Sequence, residues 1–244
     1  MERFRKTENG ISKSIGKAIA ENSLIENNDK VLVGVSGGKD SLTLLKILSM
    51  RRKWVPIRYD ITACHVLSNK ACLRCGGIDK LKKFFEELGC DYIFEKSDII
   101  NETGDFSCFW CAWNRRKVLF NVASNMGISK VALGHNMDDL AETILMNLFF
   151  HGEISGLNPK QVLFDGKIVI IRPMIYLEEK LISRYAKEAR FPVGICKCPN
   201  AEKSKRRYIK DLINDLSKKF KYVKKNIMNA PHRIKEEYLG VGYD

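Results

Sequence analysis

The sequence predicts an α/β fold: an open, doubly wound, mostly parallel sheet of five strands, with an N-terminal helix and a basic C-terminal helical region. Short β-branched runs alternate along the chain with stretches whose apolar residues recur at helical spacing. Such alternation is typical of a parallel sheet covered by helices on both faces. The chain has 244 residues, of which 45% are hydrophobic, and this is enough for one large packed core.

The individual elements follow from this pattern. The predicted strands are 30–35, 59–66, 92–94, 130–134 and 168–171. The predicted helices centre on residues 11–19, 42–48, 78–88, 118–126, 140–149 and 181–189. Two of these helices end at a glycine, Gly89 and Gly127, which is common directly after a helix.

The positive charge is concentrated near the C-terminus. The formal net charge is +13, and residues 196–235 hold 13 Lys or Arg against 3 Asp or Glu. Apolar residues recur there from Ile209 to Ile227 at steps of three or four, which predicts one basic amphipathic helix. A basic surface favours a polyanionic partner, most simply nucleic acid. A solvated helix face is the alternative, and charge alone does not separate the two.

Two classes of protein are disfavoured by composition. No apolar run approaches the ~20 residues that a membrane span needs. The charged start of the chain, residues 1–6, has no apolar segment behind it of the kind a secretory signal carries. We therefore expect a cytoplasmic protein without a membrane partner.

A glycine-rich loop lies where the first predicted strand ends and a helix begins. Its sequence from Ser36 to Ser41 is Ser-Gly-Gly-Lys-Asp-Ser. Glycines let the backbone approach a phosphate, and a helix N-terminus presents N–H groups to an anion. Lys39 adds a positive charge, which a simple tight turn with a serine cap would not need. The loop differs from the usual P-loop spacing, and Asp40 needs a cation between itself and a phosphate, so the loop suits ATP with Mg²⁺.

Cysteines supply a second candidate site. Six of the eight form close pairs, Cys72/Cys75, Cys108/Cys111 and Cys196/Cys198. In a chain without a secretory signal, such pairs indicate metal or redox sites rather than disulfides. The other two, Cys64 and Cys90, adjoin apolar residues and are predicted to pack in the core.

The loop sequence after a strand resembles the PP-loop of the N-type ATP pyrophosphatase superfamily, whose members cleave ATP between the α and β phosphates and transfer AMP to an oxygen. Four features follow in the order seen in the tRNA 2-thiocytidine and 2-thiouridine synthetases, the iron–sulfur dependent tRNA thiolases. They are Cys108 to Cys111, residues 134–139, Arg172-Pro173 and Cys198. The resemblance covers about residues 11–215.

This resemblance implies three segments and a metal centre. The segments are an N-terminal helical segment at 1–28, a PP-loop ATPase domain at 29–195 and the basic helical region at 196–244. The implied ligands of a [4Fe-4S] cluster are Cys108, Cys111 and Cys198, which would leave one iron open to exogenous sulfide. Thiolates are the normal ligands of such clusters. Structural zinc with Cys196 as a fourth ligand and a metal-free redox dithiol remain open alternatives.

The resemblance also assigns roles to the remaining motif residues. The implied ATP-binding residues are Ser36, Gly37, Gly38, Lys39, Asp40, Ser41, His135 and Arg172. The implied catalytic residues are Lys39, Asp40, Asp138 and Arg115. Asp138 and Asp139 would hold Mg²⁺ or act near the reacting base, although acids also suit the first turn of a helix. For Arg172, a surface salt bridge is an equal alternative to phosphate binding.

The implied reaction is ATP-dependent tRNA thiolation, in which a base carbonyl oxygen is adenylated and then replaced by sulfur. The implied partners are tRNA and a sulfur donor (sulfide, a persulfide protein or a small sulfur carrier), and the thiocytidine relatives suggest a homodimer. A PP-loop ligase or amidotransferase without a cluster, and a non-catalytic, metal-containing RNA-binding protein, are the alternatives. Cys72 and Cys75 are not expected in the thiocytidine branch, and sulfur relay, metal binding and simple packing all remain open for them.

Overall fold

The computed structural model describes residues 2–67, 77–97, 108–194 and 204–238. Its strands are β1 (Asp29–Gly34), β2 (Tyr59–Leu67), β3 (Asp91–Lys96), β4 (Lys130–Ala132), β5 (Lys160–Leu163) and β6 (Ile168–Ile171). Its helices are α1 (Glu2–Glu21), α2 (Lys39–Arg51), α3 (Gly77–Leu88), α4 (Cys108–Asn125), α5 (Met137–His151), α6 (Glu179–Glu188), α7 (Lys205–Lys219) and α8 (Val223–Asn229). Short 3₁₀ turns follow at Ala230–His232 and Glu236–Tyr238.

The six strands form one sheet in the order β3-β2-β1-β4-β6-β5. All neighbouring pairs are parallel except β5 and β6, which are antiparallel. The predicted α/β class is confirmed, but the predicted count of five strands is wrong. The missed strand, β5, lies at the edge of the sheet, and its four residues are only partly buried or exposed.

Helices cover both faces of the central strands. In β1 the side chains of Val31, Leu32 and Val33 are all fully buried. Leu32 belongs to a core cluster with Leu119 and Val122 of α4, and because side chains alternate along a strand, Val31 and Val33 face the opposite layer. α2 packs against β1 and β2, while α4 packs against β2, β4 and β6. Double coverage explains why β1 is a continuous apolar run.

The chain divides into two compact units. The first contains residues 1–136 and 158–201, and it includes the whole sheet; the second contains residues 137–157 and 202–244. The boundaries of these units differ from those of the three predicted segments, because α5 belongs to the same unit as the C-terminal helices. Among the described residues, no helix is both long and apolar enough to cross a bilayer.

The C-terminal region contains two helices where the sequence predicted one. α7 ends at Lys219 and α8 begins at Val223. Between them Tyr222 has φ of 76°, in the left-handed region, and this turns the chain. Ile209 and Ile213 of α7 pack with Ala141 of α5, and Ile227 packs against this cluster. The predicted apolar stripe is therefore interior at these positions, whereas Phe220 within it is 60% exposed.

Candidate active site

The loop between β1 and α2 is held in shape by its own serines. The Ser36 N–H donates to the Ser41 hydroxyl (3.2 Å), and that hydroxyl donates to the Gly38 carbonyl oxygen (2.9 Å). The Gly38 N–H donates to the Ser36 hydroxyl at 3.3 Å. Gly37 has φ of +82°, a conformation that glycine adopts without steric cost. Ser36 and Ser41, predicted as nucleotide ligands, therefore also shape the loop.

The start of α2 is open to an anion, and Gly134 packs closely against the same loop. α2 begins directly after Gly38, which has no side chain to cap the first-turn N–H groups of the helix. Gly134, just after β4, lies so close to the loop that a Cβ there would be 3.1 Å from the carbonyl carbon of Asp40 and 3.1 Å from the nitrogen of Ser41. A side chain at Gly134 would displace the loop backbone.

Lys39 lies between two carboxylates. Its Nζ donates to Asp40 Oδ2 at 3.0 Å and to Glu179 Oε1, at the start of α6, at 2.9 Å. Burial alone would lower the pKa of Lys39, but the hydrogen bond to Glu179 and the charge of Asp40 outweigh it, so the pKa is raised. The ammonium is therefore charged, and its side chain keeps 27% of its exposed area, within reach of a ligand.

The second oxygen of Asp40 is also engaged. Asn136, which is 3% exposed, donates its Nδ2–H to Asp40 Oδ1 at 3.1 Å. Lys39 and Asn136 together fix the orientation of the carboxylate. Neither Asn136 nor Glu179 was among the predicted site residues.

His135 and Arg172, both predicted to contact the nucleotide, are linked to each other. Arg172 Nε donates to His135 Nδ1 at 3.2 Å, so in the neutral ring the hydrogen is on Nε2. The guanidinium also donates to the carbonyl of Asn158 and to Gln161 Oε1. Arg172 is 3% exposed, which contradicts the alternative that it forms a surface salt bridge. Burial, and then the charge of Arg116, lower the pKa of Arg172 to about 10.

His65, near the end of β2, is a third group beside the loop that the sequence did not single out. Its Nδ1 lies 2.6 Å from the Val35 carbonyl oxygen, so Nδ1 carries the hydrogen and Nε2 is an acceptor. Its Cε1 is 3.9 Å from the position that a Cβ on Gly37 would take. Burial lowers the pKa of His65; the hydrogen bond to Val35 acts in the opposite direction, and the charge of Arg115 lowers it further.

Asp138 belongs to the second unit, and its surroundings there are basic. It lies in the first turn of α5 and is 7% exposed. Lys224 of α8 donates to Asp138 Oδ1. One turn further along α5, Glu142 forms ion pairs with Arg206 and Lys210. Asp138 and Glu142 of α5 therefore bind the basic helices of their own unit.

The cysteines divide as predicted where they are described. Cys64 and Cys90 are buried free thiols, which confirms their assignment to the core, and burial raises the pKa of the Cys64 thiol to about 12. Cys108 and Cys111 lie in the first turn of α4, but their side chains lie outside the described atoms. The same is true of all atoms of the remaining four cysteines, Cys72, Cys75, Cys196 and Cys198.

The first unit thus brings together a phosphate-sized loop, a charged lysine, an oriented carboxylate and two imidazoles at one edge of the sheet. Such an arrangement can bind a polyphosphate and stabilise charge that develops on it. Asn136 lies in the motif at residues 134–139, next to His135, and Glu179 lies two residues before the helix predicted at 181–189. Sequence position was therefore only a weak indication for both residues. For His65, the only indication in the sequence was its location near the end of a predicted strand.

A family model described as a PP-loop domain matches residues 7–215 of the chain. The chain belongs to the PP-loop family. This confirms the resemblance inferred from residues 36–41, which lie within the matched range.

Curated relatives match the PP-loop protein nearly end to end. A tRNA-cytidine(32) 2-sulfurtransferase from Geobacter sulfurreducens is 36% identical over 97% of this chain and 93% of the relative. One of the same name from Geotalea uraniireducens is 38% identical over 94% of this chain and 93% of the relative. Among solved structures, the U34-tRNA thiolase NcsA from Methanococcus maripaludis with its [4Fe-4S] cluster superposes with a TM-score of 0.78 at 25% identity, covering 99% of this chain and 84% of NcsA.

Proposed function

We propose that the protein is an ATP-dependent tRNA sulfurtransferase that converts cytidine 32 of tRNA to 2-thiocytidine. The observation that carries the proposal is the end-to-end similarity, at 36% identity over 97% of the chain, to proteins named tRNA-cytidine(32) 2-sulfurtransferase. The PP-loop built around Lys39 and Asp40 supports the first half of the reaction. The cysteines at the start of α4 support the second half.

The loop fits ATP as the activating substrate. The base carbonyl oxygen attacks the α-phosphate, a P–O bond forms, and pyrophosphate leaves. The α2 N-terminus and the Lys39 ammonium would stabilise the negative charge that moves onto the phosphates. Lys39 would exchange Glu179 for phosphate oxygens on binding, and Asp40, oriented by Asn136, would hold Mg²⁺.

The donor set fits a [4Fe-4S] cluster. Cys108 and Cys111 occupy the N-terminal turn of α4, where the helix dipole favours thiolates. Because α4 leads directly into the parallel strand β4, it runs antiparallel to the strands, and its first turn lies at the sheet edge that carries the loop. When bound, the cluster would carry the sulfur that replaces the activated oxygen.

The third proposed ligand, Cys198, comes shortly after a described residue that contacts the PP-loop. Gly194 donates its backbone N–H to the Gly37 carbonyl oxygen at 3.0 Å. Cys198 follows four residues later, and four extended residues span at most about 14 Å. The segment that leads to the third ligand therefore begins at the PP-loop itself.

The remaining predicted residues take supporting roles in this proposal. His135, with Nδ1 held by Arg172, presents Nε2–H as a donor to the nucleotide. Arg115 would stabilise negative charge on the adenylated base as sulfur adds to the base carbon and AMP departs with the original oxygen. For Asp138, the described contacts support only the ion pair with Lys224.

The second unit supplies a basic surface that binds the tRNA backbone. Lysines outnumber acids along α7 and α8, and contacts to backbone phosphates position an RNA without reading its sequence. The same proposal includes a sulfur donor, a cytoplasmic location where ATP and tRNA are present together, and a homodimer. Light scattering on the anaerobically purified protein tests the homodimer.

Nucleoside mass spectrometry of tRNA tests the function. A strain that lacks the gene should lack 2-thiocytidine and regain it with the wild-type gene or with Cys90→Ala, a control for loss of a cysteine outside the proposed ligands. Lys39→Ala and Cys108→Ala should not restore it. Appearance of 2-thiouridine in its place would contradict the base assignment, and no thionucleoside with the wild-type gene would contradict the proposal.

A further inference from the structure

One face of α4 carries an aromatic and basic array that the proposed reaction does not use. The rings of Trp110 and Trp113 are stacked, with centroids 5.1 Å apart and planes 9° from parallel. Lys117 Nζ lies 5.4 Å from the centroid of the Trp113 ring. Residues three and four apart share one face of a helix. We call Trp110, Trp113 and Lys117 the indole ladder.

Packing of the core does not account for the ladder. α4 is anchored by Leu119, Val122 and Ala123, which are buried in the core cluster under the sheet. At 100° per residue these three lie on the side of the helix opposite the ladder. Trp113 is 42% exposed. A large exposed aromatic side chain that the core does not require points to a binding surface.

The charge of α4 indicates the kind of partner. The helix holds three basic residues in a row, Arg115, Arg116 and Lys117, and no Asp or Glu between Cys108 and Asn125. An aromatic surface with a lysine beside it, on a helix without acidic residues, is complementary to a nucleic acid, in which flat bases alternate with phosphates. A protein partner or a second copy of this chain would bring no such repeated anion.

The position of the ladder indicates which part of an RNA it meets. Trp113 lies five residues after Cys108, so the two Cα atoms are about 7.5 Å apart along the helix axis. The ladder faces away from the sheet, whereas the PP-loop lies at the sheet edge. At 100° per residue, Cys108 and Cys111 lie roughly 170° and 130° around the helix from the ladder, so the ladder faces away from the proposed sulfur site as well as from the nucleotide pocket.

We propose that the indole ladder is the seat for an unpaired nucleotide of the tRNA other than the one that is thiolated, with its base stacked on the indoles and a flanking phosphate paired with Lys117. The inference rests on the proposed function, in that the substrate is tRNA. An unpaired loop nucleotide suits the seat because its base face is free to leave its neighbours and stack on an aromatic side chain.

Binding of a tRNA anticodon stem-loop with cytidine at position 32 tests the seat, using the anaerobic holoenzyme. Trp113→Ala should weaken binding about tenfold, whereas Trp113→Phe, which keeps a ring, should stay close to wild type. The matched control is Trp54→Ala: Trp54 is 63% exposed with Arg51 4.9 Å from its ring centroid, but it follows the C-terminal end of α2, at the opposite edge of the sheet. Its loss should leave RNA affinity unchanged.

The salt dependence separates stacking from charge. Lys117→Ala should lower the slope of log affinity against log salt by about one, while Trp113→Ala should leave the slope unchanged. Visible absorbance of the cluster and ATP affinity should match wild type in both variants. If Trp113→Ala lowers cluster content, Lys117→Ala becomes the deciding variant, and an unchanged affinity and slope in it would overturn the seat.

Two further results would overturn the inference. Trp113→Ala that binds the stem-loop as tightly as wild type excludes stacking on the ladder. If Trp113→Ala changes the oligomeric state but not the RNA affinity, the ladder is a contact between copies of the chain. Thiolation of tRNA by the wild-type protein in the same preparations reports separately on the proposed function, so failure of one is distinguishable from failure of the other.

Discussion

Both units bring carboxylates and lysines together, but they do so under different degrees of burial. In the first unit, the side chains of Lys39, Asp40 and Glu179 are each about a quarter exposed. In the second unit, the side chains of Asp138 and Glu142 are only 10% and 5% exposed. An ion pair that solvent reaches can exchange its partner for a ligand, whereas a buried pair that loses one partner leaves an uncompensated charge. The first set therefore suits chemistry, and the second set suits holding basic helices in place.

The largest expected effect comes from removing the reachable lysine. Lys39→Ala should lower the single-turnover rate of thiolation by at least about 100-fold, because a preorganised charge opposite the phosphates is lost. The melting temperature should change little. Lys46→Ala on the same helix is the matched control and should keep the wild-type rate. An unchanged rate in Lys39→Ala would contradict a role for the loop in the reaction.

The buried pair predicts a loss of stability. Asp138→Ala should reduce the free energy of unfolding by about 2 kcal/mol, because the ammonium of Lys224 loses its partner at a site where water reaches it poorly. Urea titration followed by circular dichroism measures this change.

The exposed pair between Asp215 and Lys218 provides the control within the same unit. Both side chains are largely exposed, so Asp215→Ala should have little effect on stability. Equal destabilisation by Asp138→Ala and Asp215→Ala would contradict the distinction between buried and reachable pairs.

A smaller effect is expected where α7 turns into α8. Tyr222→Gly should be more stable than Tyr222→Ala by about 1 kcal/mol, because glycine adopts the left-handed conformation without the contact between Cβ and the following carbonyl. Both variants lose the tyrosine ring and its contacts with Lys221 and Lys225, so comparing them isolates the effect of the backbone angle. Equal free energies of unfolding for Tyr222→Ala and Tyr222→Gly would show that the positive φ has no cost at this position.

The smallest effect concerns pH. Since the pKa of His65 is lowered in the folded protein from its ordinary value of 6.5, the unfolded chain binds its proton first as the pH falls. The contribution of His65 is therefore complete above about pH 6.5 and declines as the pH falls below it. Urea midpoints at pH 7.5 and 5.5 should differ less in His65→Gln than in the wild type; an equal difference in both would exclude His65 as the source.

Most of the fold could be predicted because strands of a doubly covered sheet are apolar throughout. Ile168–Ile171 is such a strand. Its neighbour β5, Lys160–Leu163, is a half-exposed edge strand of mixed polarity, which has no clear period to detect. The C-terminal stripe kept its helical spacing across Tyr222, so periodicity could not reveal a turn made by a single backbone angle.

The loop itself was predictable because its residues are contiguous and their chemistry is unusual. Asn136, Glu179 and His65 were not, because each is a single polar residue that acquires meaning only when the sheet and α6 bring it to the loop. Lys224, the partner of Asp138, is 86 positions away along the chain, and no local pattern connects the two.

The hydrogen bond from Gly194 to the Gly37 carbonyl oxygen has a practical consequence for handling the protein. It holds residue 194 against the turn that would cradle ATP, four residues before the proposed cluster ligand Cys198. If Cys198 binds the cluster as proposed, loss of the cluster should loosen that turn. Protein purified in air, where oxygen attacks iron–sulfur centres, is then expected to bind nucleotide more weakly than protein kept under nitrogen. A titration of ATP analogue into matched aerobic and anaerobic samples would measure that difference.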